Sequence, residues 1–265
     1  MQPADEIPFA HILDVPHRTD AAARRFFLDE VGSLAAALSS HCGVDTGPAA
    51  LTEAIGHHNE HVALLRQIGD LRRRERPPLS GADYHALLVA SGSAPKAALV
   101  PLLREVLAAL DDRDGPSPGR ARLMLAGSQL DDPGFTAVVE STGALVVADR
   151  YCWGSHGSLA PITASSNPIA ALADHYLGRT SCPRMMDEHA ARVREIVEVA
   201  ADYAVDGVIL QTMKFCDLWG VEAAALTQAL RAAGLAVLRL EREYALSNEG
   251  QLRTRVQAFL ESLGR

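Results

Sequence analysis

Short runs that are wholly or mostly apolar alternate with helical patterns through the C-terminal half of the chain. These runs lie at residues 123–126, 145–148, 208–210 and 236–240. Strands that are apolar throughout are buried on both faces, which is typical of parallel sheets covered by helices. Because successive parallel strands are joined by right-handed helical crossovers, the sequence predicts a four-stranded parallel sheet with helices on both faces.

The first part of the chain carries helical patterns and no strand pattern. A proline-punctuated segment without periodicity, residues 1–19, opens it. Apolar residues then recur at helical spacing at residues 27–38, 51–68 and 99–110. A linker rich in Asp, Pro and Gly follows at residues 111–119. We therefore predict an α/β protein with two parts, an N-terminal helical region with an extended first segment (residues 1–118) and a flavodoxin-like α/β domain (residues 119–265).

Two basic groups in the helical region have ordinary interpretations. The arginines at positions 72, 73, 74 and 76 are typical of a solvated helix end, and anion binding is the alternative. His57, His58 and His61 have helical spacing but no accompanying carboxylate motif, so we interpret them as surface residues rather than metal ligands.

Composition excludes several classes of protein. The formal net charge is −8, which leaves no basic surplus to neutralise phosphates and argues against nucleic-acid binding. No apolar run reaches transmembrane length, and the N-terminus lacks the pattern of a signal peptide, so we expect a cytoplasmic protein without a membrane segment. The cysteines, Cys42, Cys152, Cys182 and Cys216, form no Cys-x-x-Cys pair; we expect free thiols or metal ligands rather than disulfides.

The stretch from residue 206 to 217 joins a predicted strand to a loop with several reactive groups. Cys216 falls between the end of the strand at 208–210 and the start of a helix that carries Val221 and Leu226. A thiolate in that place is stabilised by helix amides and by the neighbouring Lys214. The alternative is a small buried cysteine that only packs.

Other polar groups should meet Cys216 at the carboxyl edge of the sheet, where ligands of open α/β folds bind. Gly127 and Ser128 follow the first strand and offer backbone amides and a hydroxyl to a thioester, phosphate or carboxylate. Tyr151 and Cys152 lie in a long loop predicted to start at Asp149. We predict Gly127, Ser128, Tyr151 and Cys152 as a substrate-binding wall; alternatively, Tyr151 and Trp153 merely cover the sheet edge.

Several segments, in their order and spacing, resemble the 2-hydroxyacyl-CoA dehydratase and benzoyl-CoA reductase family. The similar segments are residues 125–129, 143–152, 182–183, 206–217 and 251–259, with weaker similarity at residues 59, 64–71 and 78–81. The likeness covers nearly the whole chain. No single segment is diagnostic, but their combined order is fairly specific.

The resemblance implies a subunit that holds a [4Fe-4S] iron–sulfur cluster, pairs with a second dehydratase subunit or with its own copy, and receives one electron from an ATP-dependent activator protein. The substrate implied is an acyl-CoA thioester that loses water in a radical elimination. The C3 proton of a 2-hydroxyacyl-CoA is hardly acidic, and adding an electron to the thioester makes it removable; an iron–sulfur cluster reaches the low potential required. In this pattern Cys216 is the metal ligand from this part of the chain.

The same resemblance implies that the other cluster cysteines belong to a preceding α/β domain, for which these 265 residues offer no counterpart. Three interpretations follow: a partner chain supplies that domain, the protein is a cluster-free auxiliary subunit, or the reading frame is truncated. We favour a subunit of a multi-chain dehydratase and expect Cys152 to approach Cys216 across adjacent strand ends. A benzoyl-CoA reductase-like subunit and a non-catalytic scaffold that has lost the cluster are the alternatives.

Overall fold

The computed structural model describes residues 9–115, 119–152, 154, 159–179, 182–245 and 248–264. Of these residues, those within Met1–Asn59 and Pro161–Arg179 form one compact unit, and those within Glu60–Ala160 and Thr180–Arg265 form a second. Among the described residues, no helix combines the length and the apolar content that crossing a membrane requires.

The first unit is built from helices. It contains α1 (Ala21–Cys42), the beginning of α2 (Pro48–Asp70) and α6 (Pro168–Leu177). Asp20 caps α1 by accepting hydrogen bonds from the backbone amides of Ala22 and Ala23, as an N-cap aspartate does. Arg24 of α1 pairs with Asp174 of α6 at 2.5 Å. The predicted helical patterns at residues 27–38 and 51–68 are thereby confirmed.

The second unit contains the sheet and most of the remaining helices. The end of α2 leads through a 3₁₀ turn, Leu71–Arg73, into α3 (Gly81–Ser93) and α4 (Lys96–Asp111). The later elements are β1 (Arg122–Gly127), α5 (Pro133–Glu140), β2 (Leu145–Tyr151), a 3₁₀ turn (Met186–Glu188), α7 (His189–Asp202), β3 (Gly207–Met213), α8 (Asp217–Ala232), β4 (Ala236–Arg242) and α9 (Glu249–Ser262).

The four strands are parallel and lie in the order β2-β1-β3-β4. Alternate residues of β1 face opposite sides, as the period of a strand requires. Leu123 and Leu125 pack in the core formed with α5 and α9, whereas Met124 and Ala126 pack in the core formed with α7 and α8. The predicted α/β class, with helices on both faces of a flavodoxin-like parallel sheet, is confirmed.

The helices α3 and α4 belong to the same compact unit as the sheet. For α3, specific hydrogen bonds explain this position. The carboxylate of Glu140, at the end of α5, accepts hydrogen bonds from the backbone amides of Gly81 and Ala82 at the start of α3, at 2.8 and 3.1 Å. This places a negative charge at a helix N-terminus, where it is stabilising. The two compact units do not divide at residues 118 and 119. The predicted boundary there concerns independently folding domains, and it stays a prediction.

Candidate functional site

The carboxyl ends of all four strands lie along one edge of the sheet, because the strands are parallel. Gly127 ends β1 and Tyr151 ends β2. Cys216 lies between the end of β3 at Met213 and the first residue of α8, so the predicted position of this thiol at a strand-to-helix junction is confirmed.

The turn after β1 is fixed by β3. Gly127 has φ 123°, and a Cβ atom there would lie 1.8 Å from the carbonyl oxygen of Gln211, so only glycine fits. Ser128 is fully buried; its amide donates to the Gln211 carbonyl at 3.0 Å, and its Oγ accepts from the Met213 amide at 2.6 Å. The amide and hydroxyl predicted to meet a ligand therefore already bind β3, and substrate binding by Gly127 and Ser128 stays a prediction.

The strand β2 is longer than the sequence indicates. The loop predicted to begin at Asp149 begins after Tyr151, because pairing with β1 continues through Gly127↔Tyr151 and satisfies the backbone. Tyr151 is only 1% exposed, its ring centroid lies 5.2 Å from that of His85, and burial raises the pKa of its hydroxyl well above the usual range. Tyr151 thus belongs to the core behind the edge, and its role toward a substrate stays a prediction. Trp153 lies outside the residues that the structure describes.

An ion pair lies buried beneath this end of β2. Asp149 accepts a hydrogen bond from Arg72 Nη2 at 2.9 Å, with side chains only 3% and 2% exposed. The Arg72 guanidinium also lies over the ring of Tyr84, 3.8 Å from its centroid, a cation–π contact. The interpretation of the arginine run as a solvated helix end is therefore wrong for Arg72, whose charge is compensated inside the protein.

His61, predicted at the surface, is also buried, with its Nε2 3.1 Å from Ser91 Oγ.

Cysteine thiols lie at the carboxyl edge of the sheet, on the face that α7 and α8 cover. Cys152 follows β2 directly, and its Sγ accepts a hydrogen bond from Trp219 Nε1 at 3.3 Å. The thiol of Cys152 also hydrogen-bonds to that of Cys182. Cys152 and Cys216 pack against the same buried cluster, the one that contains Trp219. The expectation that Cys152 and Cys216 follow adjacent strands is wrong, because β1 lies between β2 and β3.

The two bonded thiols have opposite pKa shifts. The hydrogen bond that Cys152 donates, together with the Arg184 amide, lowers the pKa of Cys182 to about 6, although burial opposes the shift. The bond to Cys182, and then burial, raises the pKa of Cys152. The two thiols thus form a coupled pair with a shared proton, and the direction of the shifts favours loss of that proton from Cys182 before Cys152.

A buried arginine holds the segment that carries Cys182. Arg192 of α7 donates to the carbonyl oxygens of Cys182 and Met185 at 3.3 and 3.1 Å. Its guanidinium is fixed in turn by Glu222 of α8, which accepts from Nε and Nη2 at 2.7 and 2.6 Å. Such a two-point arginine–carboxylate contact is strong and directional, so it anchors Cys182 to α7 and α8.

The fit of an iron–sulfur cluster depends on the number of thiolates available. Such a cluster is normally held by cysteine thiolates, about four for a complete set. Within the part of the chain that the structure describes, no group of three or more His, Cys, Asp or Glu side chains is arranged to hold a metal ion. The half-buried Cys216 at the sheet edge suits a contribution of one ligand, whereas the described residues do not form a complete cluster site.

Sequence reasoning missed the partners that define this site. Trp219 was not singled out, although it is fully buried and donates to Cys152. No periodic pattern locates Cys182 in the fold, and the Pro183 that follows it is its one local signal. Lys214 was expected to assist Cys216, but its ammonium pairs with Glu243 at 2.7 Å.

Comparison with known proteins identifies the family. The family model described as "2-hydroxyglutaryl-CoA dehydratase, D-component" matches residues 3–263. A putative dehydratase subunit, YjiM, of Escherichia coli is 28% identical over 96% of this chain and 68% of its own length. Lactoyl-CoA dehydratase subunit beta of Anaerotignum propionicum is 21% identical over 91% of this chain and 65% of its own.

A third relative, (R)-2-hydroxyglutaryl-CoA dehydratase subunit beta of Acidaminococcus fermentans, is 23% identical over 98% of this chain and 69% of its own length. The chain thus spans about two thirds of the length of these relatives. The family model, by contrast, is matched along nearly the whole chain. The chain therefore belongs to the 2-hydroxyglutaryl-CoA dehydratase D-component family.

Proposed function

We propose that this chain works as a subunit of an enzyme that removes water from a 2-hydroxyacyl-CoA thioester in a radical elimination that depends on an iron–sulfur cluster. Membership of the dehydratase family along residues 3–263 supports a dehydratase-type role. The relatives named for lactoyl-CoA and 2-hydroxyglutaryl-CoA support a 2-hydroxyacyl-CoA as the class of substrate. A second dehydratase subunit and an ATP-dependent activator protein are the partners in this proposal.

The observation that carries the proposal is the position of Cys216. This half-buried thiol lies between β3 and α8 at the edge of the sheet where ligands of parallel α/β folds bind. We assign it one ligand position of a [4Fe-4S] cluster, with the remaining thiolates supplied from outside the described residues. When bound, the cluster supplies an electron of low potential.

The residues around Cys216 have separate parts in the proposal. Trp219 and Cys182 orient Cys152, which is half-buried and faces the same edge. We assign Cys152 to the substrate-facing wall. We assign the layer directly behind this wall to Gly127, Ser128 and Tyr151. These buried residues hold the ends of β1 and β2 in place.

The test of the metal proposal uses the protein in its native assembly. A tag on this chain allows the complex to be purified without oxygen from the source cells, and iron, acid-labile sulfide and visible absorption are then measured. We expect bound iron and sulfide in the unchanged protein and their loss in Cys216→Ser. Cys42→Ser is the matched control, because Cys42 is an exposed thiol at the end of α1.

The test of the reaction separates the enzymatic alternatives. The same complex, with its activator, ATP and a reductant, is given a 2-hydroxyacyl-CoA such as lactoyl-CoA or, separately, benzoyl-CoA. An enoyl-CoA product supports the dehydratase, and a ring-reduced product favours the benzoyl-CoA reductase-like alternative. Neither product, together with no iron in the unchanged complex, would leave only the scaffold role.

A further inference from the structure

A cavity opens at the carboxyl ends of β3 and β4, on the sheet face opposite the thiols. Its volume is about 170 Å³, and its wall includes Phe135 of α5, Leu240 of β4 and Leu252 of α9. These apolar residues belong to the α5 and α9 side of the core, whereas Cys152 and Cys216 pack on the α7 and α8 side. The cavity is therefore separate from the candidate thiol site. We call it the arginine cavity, after Arg242 and Arg255 in its wall.

Arg242 carries a charge that the described residues do not pair with a carboxylate. Its Nε donates to Gln211 Oε1 at 2.9 Å, its Nη1 donates to the carbonyl of Glu243 at 3.1 Å, and its Nη2 donates to the carbonyl of Gln129. All three acceptors are neutral. The guanidinium is partly buried and lies 5.9 Å from the ring centroid of Phe135. Since a guanidinium stays protonated in proteins, the cavity wall holds a fixed positive charge.

Gln211 prepares Arg242 for this role. It is fully buried, and its Nε2 donates to the carbonyl of Ser128 at 2.6 Å, so its orientation is fixed by the end of β1. The oxygen of the same amide accepts from Arg242. A side chain locked in this way loses little freedom when a ligand arrives, which favours binding.

Arg255 adds a second guanidinium to the wall. It projects from α9, and its Nη2 donates to the carbonyl of Arg239 at 2.7 Å, which is again a neutral acceptor. Lys214 also lines the cavity, but it pairs with Glu243. Arginine forks match the geometry of phosphate and carboxylate oxygens, and two forks in one wall suit a dianion better than a single carboxylate.

The acidic groups nearest Arg242 are engaged elsewhere. Asp132 caps α5, and its Oδ1 accepts from the amide of Gly134 at 2.8 Å. Asp131 accepts from the hydroxyl of Tyr244 at 2.9 Å. These carboxylates reduce the positive potential of the cavity, but their hydrogen bonds hold them in place beside other groups. Glu241 and Glu243 also line the wall, and Glu243 pairs with Lys214. Both carboxylates are exposed, as Arg255 is, so solvent screens these charges, whereas Arg242 is partly buried.

We propose that the arginine cavity binds the phosphate of a phosphomonoester, with Arg242 and Arg255 as its anchors. The volume agrees with this class of ligand, because a cavity of about 150 Å³ holds a molecule the size of benzene. A phosphate and the adjoining carbon atoms therefore fit, with the carbons against Phe135 and Leu252. The phosphomonoester is either the 3′-phosphate of coenzyme A, a source that rests on the proposed function, or a free small phosphoester.

Calorimetric titration of the purified complex at low salt tests the proposal. The ligands are adenosine 3′,5′-bisphosphate, which carries the 3′-phosphate of coenzyme A, and AMP and glycerol 3-phosphate, which lack it. We expect a saturable site and, because charge-assisted hydrogen bonds are lost, a dissociation constant raised about tenfold or more in Arg255→Gln and in Arg242→Gln. Arg253→Gln is the matched control: it lies on α9, changes the net charge equally and pairs with Glu249 rather than lining the cavity.

The outcomes distinguish the two sources of the phosphate, and they distinguish failure of this proposal from failure of the proposed function. Binding of the bisphosphate but not of AMP or glycerol 3-phosphate assigns coenzyme A, whereas similar binding of all three assigns a free phosphoester. No binding of any of them, or equal weakening by Arg253→Gln and Arg255→Gln, overturns the proposal. Arg255 is exposed, so its variant keeps the test decisive even if Arg242→Gln does not fold. The titration needs no catalysis, so a missing dehydratase activity does not affect its result.

Discussion

Removing Arg72 should destabilise the sheet-containing unit far more than removing its neighbour Arg73. The Arg72–Asp149 pair is separated by 2.9 Å, with side chains 2% and 3% exposed. Removing one charge from such a buried pair takes away the counter-charge of the other, at a cost of about 3–5 kcal/mol. The cation–π contact with Tyr84 adds up to about 2 kcal/mol when desolvated, and a methionine recovers part of it by packing on the ring. We therefore expect Arg72→Met to lower the free energy of unfolding by about 4 kcal/mol.

The matched control is Arg73→Met. Arg73 is the last residue of the same 3₁₀ turn, but its side chain is 46% exposed and pairs with Asp70 at 3.2 Å. An exposed pair contributes about 1 kcal/mol at most. Unfolding in urea is followed by tryptophan fluorescence, to which the fully buried Trp219 of the same unit contributes.

A double-mutant cycle makes the test specific to the ion pair. Asp149→Asn alone leaves the Arg72 charge buried, so it should cost about 3 kcal/mol or more. The Arg72→Met/Asp149→Asn double variant removes both charges and should cost clearly less than the sum of the single variants. If the two single effects simply add, or if Arg72→Met costs no more than Arg73→Met, the pair contributes nothing net and the reasoning is refuted.

Two further predictions concern the edge of the sheet. Gly127→Ala should lower the free energy of unfolding in urea by about 3 kcal/mol, because the backbone conformation is strained for alanine and β3 blocks the Cβ. The control, Gly220→Ala, lies in an open part of α8 and should be neutral or stabilising. Alkylation of Cys182 by iodoacetamide, mapped by mass spectrometry, should rise as the pH passes about 6. In Cys152→Ala that rise should move to higher pH, since a donor to the thiolate is lost; an unchanged profile would contradict the shared proton.

Sequence periodicity predicted the sheet because its signal is local. The runs at residues 123–126 and 208–210 lie inside β1 and β3, since strands buried on both faces show apolar residues throughout. Periodicity also located Cys216, because a strand end followed by a helix is a property of neighbouring residues. The same reasoning ended β2 too early: Asp149 and Arg150 are polar, yet both are buried in the strand because charged partners compensate them.

The contacts that shape the site could not be predicted because they join distant positions. Arg72 and Asp149 are 77 residues apart, and Trp219 and Cys152 are 67 apart. Nothing in the local pattern around Arg72 distinguishes it from the exposed Arg73 and Arg74. The arginine cavity has the same origin, since β4, α5, α9 and the turn after β3 each contribute only part of its wall.

The amide of Gln211 has a consequence for the charge of the arginine cavity. It binds the turn after β1 through Ser128 and the guanidinium of Arg242 through its oxygen. Because the amide is neutral, it orients that guanidinium without consuming its charge. A glutamate at this position, of nearly the same shape, would neutralise the arginine from within, so the identity of one buried atom determines whether the cavity attracts an anion.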